Sequence, residues 1–448
     1  VATVLATAGA QRMAGGFLAD AGGRLLPLSV PLRWFGAAVV FHALAWVALA
    51  AGAPHWPHWQ AGPGWSLAAL HLMSVGTLLA SAIGASLQLL PVATRQPVRW
   101  PRLAALLWWP FLPGVALLAL GMGLARPSWL AAGAALVLAV LAVWAMLLVA
   151  NLRGARGMPG VRLHGWGAVL SLALLAGSAA ALVALWQGWP LPGVSREALR
   201  AAHAVAGVLG VMGLLLMGLS AILLPMFALA AMPGEAPQLR SGAAACAALL
   251  LFVAAGLAPA DSAAALAWLA LGAAAGALGI HVRTMQRVLG GGLRRDHGRG
   301  VRLIRIGWVA AALALACVAL HLAGLRLAGE SPWAALAVTL AVGGWLGSAL
   351  FGVLQRILPF LASMHAARGG QRRPPTPSAF VFEAALPVHE RAHVAAWALL
   401  AVAIVTGSPA WLLAAAGCGA LAAAAFATYF AVLLHRLQRA RRVPAMPH

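Results

Sequence analysis

The chain has 448 residues, of which 63% are apolar and 8% charged, with a mean hydropathy of +0.92. A water-soluble core of ordinary proportions cannot hide that much apolar surface, so the composition excludes a soluble globular protein and points to a membrane protein. The net charge of +22 comes from 30 arginines and no lysine; these lie between apolar runs rather than along an amphipathic face, which makes them topology signals and excludes a nucleic-acid partner.

The first 25 residues lack the basic start and long apolar stretch of a signal peptide, and no cleavage is expected there. Apolar runs of about 18 residues or more then predict twelve spanning helices. They fall at about 31–52, 65–90, 103–124, 128–152, 162–186, 198–228, 241–258, 262–284, 303–324, 333–361, 392–408 and 410–434. A cytoplasmic N-terminus places 26 arginines inside and only Arg126, Arg196, Arg200 and Arg326 outside, so both termini are expected in the cytoplasm of a bacterial-type inner (plasma) membrane. The longest loops, "GGGLRRDHGRGVR" and "ARGGQRRPPTPS", read as solvated connections. Trp65, Trp186, Trp333 and Trp411 stand near span ends as interfacial anchors, and Cys246, Cys317 and Cys418 read as small core residues without disulfide or knuckle spacing.

One motif recurs at a period of 134 residues: Gly76, Gly84 and Pro91 return as Gly210, Gly218 and Pro225, then as Gly344, Gly352 and Pro359. It falls on the second, sixth and tenth predicted helices. A single membrane domain over 1–448 is therefore expected, built of units at approximately 31–153, 162–287 and 303–437. Glycines eight apart lie within about 80° of one helix face, a flat strip that admits a neighbouring helix or a flat ligand.

The eight acidic residues all fall in predicted loops or at helix ends. Ion-coupled carriers need ionisable groups near the midplane, which disfavours that class. Histidine is what the predicted spans do contain. His71 and His203 lie at nearly equivalent depth in the second and sixth helices, His42 near the middle of the first, and His321 near the outer end of the ninth. Neutral imidazoles are axial ligands for haem iron and for copper, and two on facing helices would make a bis-histidine site; the alternative is interfacial residues bonded to loop carbonyls. His389, Glu390 and His393 satisfy the HExxH pattern of zinc hydrolases. No identifiable third ligand follows it, and the expected role is a solvated helix start with an internal ion pair, not a metal centre.

These features together resemble subunit I of the haem-copper oxidases and nitric oxide reductases, and smaller relatives such as the NnrS haem/copper membrane proteins. The resemblance rests on twelve helices with both termini inside, on a threefold four-helix repeat, and on a second helix that begins with His71 and ends in Pro91. It implies an all-α bundle of three four-helix arcs, with His71 as a haem ligand and His203 where the family places its first copper-binding histidine. The chain departs from the family in three places: Thr339 stands in the tenth helix at the register of His71, "SGAAACAALLLFVAAG" lacks paired copper histidines, and the sixth helix has no tyrosine. A binuclear oxygen-reducing centre and proton pumping are thus not expected. The implied protein binds haem b, with copper as the other metal, through members of the set His71, His203, His321 and His42. It would act in electron transfer or in nitric oxide or metal stress, served by an electron-donor subunit or cytochrome, and any activity would be an oxidoreductase of the nitric oxide or oxygen-reducing type. The alternative is a cofactor-free carrier or scaffold that keeps the bundle.

Overall fold

A computed structural model describes residues 26–59, 61–327, 329–367 and 375–442. The N-terminal stretch read above as uncleaved lies outside the described residues. Among the described residues twelve helices are long and apolar enough to cross a membrane. They are α1 (Ser29–Ala51), α2 (Trp65–Ala93), α3 (Pro101–Gly123), α4 (Pro127–Arg153), α5 (Pro159–Trp186), α6 (Arg196–Ala228), α7 (Glu235–Leu257), α8 (Asp261–Gly290), α9 (Gly298–Leu322), α10 (Trp333–Ala366), α11 (Ala385–Thr406) and α12 (Pro409–Arg441). The protein is a multi-pass, all-α membrane protein. Long Ala-, Leu- and Val-rich helices satisfy most backbone groups internally, as a hydrocarbon solvent demands.

Burial separates an inner from an outer set. In α2, α6 and α10 the most apolar stretch is 72%, 72% and 78% buried, against 17% in α8. The three inner helices touch one another at the centre, and α12 packs on α1 to close the ring. Each inner helix rests on the helix before it, and the repeated glycines make that contact. An added Cβ would lie 2.6 Å from Phe41 of α1 at Gly76 and 2.7 Å from Trp34 at Gly84. The corresponding clashes are 2.4 Å with Ser171 of α5 at Gly210, and 2.7 Å with Ala310 of α9 at Gly344. The glycine strip is therefore filled by helices, and a flat ligand has no access to it.

Within α2, α6 and α10 the backbone widens into π-helix over Leu72–Leu79, Ala206–Gly213 and Leu340–Gly347, segments that begin 134 residues apart in each case. Such a turn bonds residue i to i−5 and is often found at functional sites; Thr77 follows the same pitch with its side chain, donating to the Leu72 carbonyl at 3.1 Å. Pro91, Pro225 and Pro359 stay inside their helices. A proline has no N–H for the carbonyl four residues back. At Pro359 that carbonyl is Gln355, and it accepts instead from the hydroxyl of buried Tyr429 in α12 at 3.1 Å. The chain's single tyrosine repairs the break.

Candidate functional site

His71 closes the first α-helical stretch of α2, immediately before the π segment, and His203 precedes the π segment of α6. The Nδ1–H of His71 donates to the Leu67 carbonyl one turn back at 3.0 Å. The Nδ1 of His203 lies 3.4 Å from the Ser178 hydroxyl of α5. That hydroxyl already donates its hydrogen to the Leu174 carbonyl at 2.7 Å, so the imidazole is the donor in the pair. With Nδ1 engaged on each ring, Nε2 is the nitrogen left to accept a hydrogen bond or ligate a metal, as in ligating histidines generally.

The two rings face each other with centroids 6.2 Å apart and planes inclined by 22°. Both rings line a cavity of about 310 Å³ whose walls are mostly apolar, among them Leu78, Leu175, Val211 and Val342, with Trp186, Ser74 and Arg200 also lining it. Two imidazole nitrogens beside a mostly apolar cavity are a donor set that fits an iron porphyrin or a soft copper ion. It does not resemble a hydrolytic zinc site, which needs three protein ligands.

The other two candidate ligands stand apart from this pair. His321 is exposed at the end of α9 and does not line the cavity. His42 is buried in α1, where its Nε2 accepts the Trp46 indole N–H at 3.0 Å and its ring lies 4.6 Å from Phe351. It belongs to a second cluster with His389 and His393 of α11, whose rings are 5.6 Å apart with Phe351 and Phe426 against them.

The HExxH segment is accordingly not a solvated helix start. His389 and His393 are 0% and 1% exposed. Its polar residues dilute the local hydropathy and push the predicted start of the eleventh helix to 392, whereas α11 begins at Ala385 and carries the motif inside the bundle. Nor is the ion pair internal: Glu390 reaches across to α9, accepting from Arg302 through both oxygens and from Arg299 Nη1 at 3.0 Å. Glu390 is thus a buried carboxylate within a span, which overturns the expectation that every acid sits in a loop or at a helix end. His393 Nε2 bonds the Ser348 hydroxyl at 2.9 Å, while His393 Nδ1 and His389 Nε2 are buried without a hydrogen-bond partner. Among the described residues no group of three or more His, Cys, Asp or Glu side chains is placed to hold a metal ion.

Two further buried histidines escaped the sequence reading. His164 of α5 donates Nδ1–H to the Gly160 carbonyl at 2.8 Å, and His281 of α8 stands edge-on to Trp308. Both lie inside the predicted spans, so position alone was the available signal.

No family model matches the chain, and no curated protein matches it. Among solved structures the fold is similar to that of a heme-copper terminal oxidase dimer determined by cryo-electron microscopy. The TM-score is 0.60 over 94% of this chain and 86% of that one, at 12% sequence identity. At that identity the likeness is one of fold, and the architecture shared is the oxidase subunit I bundle.

Proposed function

We propose that this membrane protein holds a b-type haem between His71 and His203 and acts in electron transfer or in the response to nitric oxide or metal stress. The observation that carries the reading is the opposed imidazole pair, with each Nδ1 engaged and both rings lining one mostly apolar cavity. A haem in that place supplies one-electron redox chemistry. The Leu67 carbonyl and Ser178 orient the two rings. Copper is the alternative metal for the same pair. An electron-donor subunit or a cytochrome is the implied partner.

Proton pumping is not part of the proposal, because the chain has no lysine and buried Glu390 is occupied by two arginines. The same reading takes the three π segments as marks of three four-helix units at approximately 31–153, 162–287 and 303–437, and the arginine-rich face as cytoplasmic. Thr339 favours a second reading, a cofactor-free scaffold or carrier, since α10 offers no imidazole where α2 offers His71.

The test is a reduced-minus-oxidised visible spectrum, with haem and copper quantified, on protein purified from haem-replete cells. His71→Ala and His203→Ala should each abolish or shift the haem b bands, and His321→Ala should leave them unchanged. Protein that carries neither haem nor copper and cannot be reconstituted with either would decide for the scaffold.

A further inference from the structure

At the end of the bundle that holds Pro225 and Pro359 lies a second cavity, of about 1060 Å³, between α6, α9 and α10. Its wall carries six arginines: Arg294 and Arg295 from the loop before α9, Arg299, Arg302 and Arg305 from α9, and Arg356 from α10. The three on α9 are spaced by three residues and so share one face of the helix. Asp296 and Glu383 also line the cavity, and Glu390 binds Arg299 and Arg302 from behind, which leaves an excess of three positive charges. Among the described residues Arg294, Arg295, Arg305 and Arg356 make no ion pair. Arg356, half-buried, donates one N–H to the His297 carbonyl. Gly298, Arg299 and Gly300, at the start of α9, line the same wall, where the Gly298 N–H donates to Asp296 Oδ1 at 2.8 Å.

Concentrating like charges in a concavity with low-dielectric walls is unfavourable unless an anion offsets it, and such walls focus the field on whatever enters. Guanidinium forks pair with phosphate oxygens two at a time. Beneath the arginines the floor is apolar, formed by Met226, Phe227 and Phe360. The volume exceeds what a single inorganic ion fills. We infer that this cavity binds a multiply charged phosphate group, from either a phospholipid headgroup or a soluble phosphate compound. The inference uses none of the residues of the histidine pair and stands or falls apart from it.

The experiment uses the full purified chain in phosphatidylcholine nanodiscs, titrated calorimetrically with inorganic pyrophosphate, and in neutral detergent with cardiolipin scored by native mass spectrometry. At least one probe should bind saturably at one site. At about tenfold per guanidinium, the exposed-residue variant Arg294→Gln/Arg295→Gln/Arg305→Gln should weaken binding by at least about 100-fold. A control with three arginines removed elsewhere at the same end, Arg99→Gln/Arg102→Gln/Arg153→Gln, should change it less than about threefold. Glu390→Gln frees two guanidiniums and should tighten binding. Pyrophosphate binding alone identifies a soluble phosphate as the source, and cardiolipin binding alone a lipid. Absence of saturable binding for both probes, or equal loss in the two triple variants, overturns the inference.

Discussion

Replacing Glu390 by glutamine keeps the shape of the side chain and removes its charge. In the native protein the carboxylate is 8% exposed and accepts three charge-assisted hydrogen bonds, from Arg302 Nε, from Arg302 Nη2 at 2.7 Å and from Arg299 Nη1 at 3.0 Å. Hydrogen bonds to charged groups contribute about 1.5–3 kcal/mol each, and breaking a fully buried ion pair costs about 3–5 kcal/mol. Two features hold the loss below a simple sum. Arg299 and Arg302 are 36% and 55% exposed, so both recover water when the acid is gone, and a neutral amide is less costly to bury than a carboxylate. The expected loss for Glu390→Gln is about 2 kcal/mol. Equilibrium unfolding of wild type, Glu390→Gln, Arg302→Gln and the double variant in mixed micelles measures it. The coupling between Glu390 and Arg302 should exceed about 1 kcal/mol. A single-variant loss under about 0.5 kcal/mol, or strict additivity in the cycle, would refute the claim that this pair ties α11 to α9.

Three more outcomes follow from particular contacts. Tyr429→Phe removes the hydroxyl that satisfies the carbonyl left open by Pro359, and should cost about 1–3 kcal/mol in the same unfolding assay. Gly352→Leu should destabilise by about 1–3 kcal/mol or more, because a Cβ there would lie 2.4 Å from the Gly300 carbonyl, a backbone atom that cannot step aside. Gly343→Ala drives a Cβ to within 2.0 Å of the Trp397 indole, so its effect should be severe alone and relieved in part by Trp397→Leu; no relief would show that the indole is not the obstacle.

Much of the architecture is written locally along the chain. A run of about 20 apolar residues must span a bilayer wherever it occurs, so the number and order of spans follow from hydropathy alone. Arg299, Glu390 and the HExxH histidines show where that reading fails. Their polarity argued for solvent, but α9 and α11 supply opposite charges to each other, and packing carries the motif inside. Hydropathy adds up residues on one helix and contains no term for a partner on another.

The sequence by itself determined the twelve spans and the 134-residue spacing of the Gly–Gly–Pro motif. Only the tertiary structure decided that His71 meets His203 while His42 turns to Trp46 and His321 stays at the surface, and that six arginines from a loop and two helices share one cavity. The physical reason is rotational. Spacing along a helix fixes which residues share a face, but the direction of that face is set by how each helix rolls against its neighbours. Here contacts between the inner helices and the helices before them set the roll, with glycine at the points where backbone and side chain approach most closely.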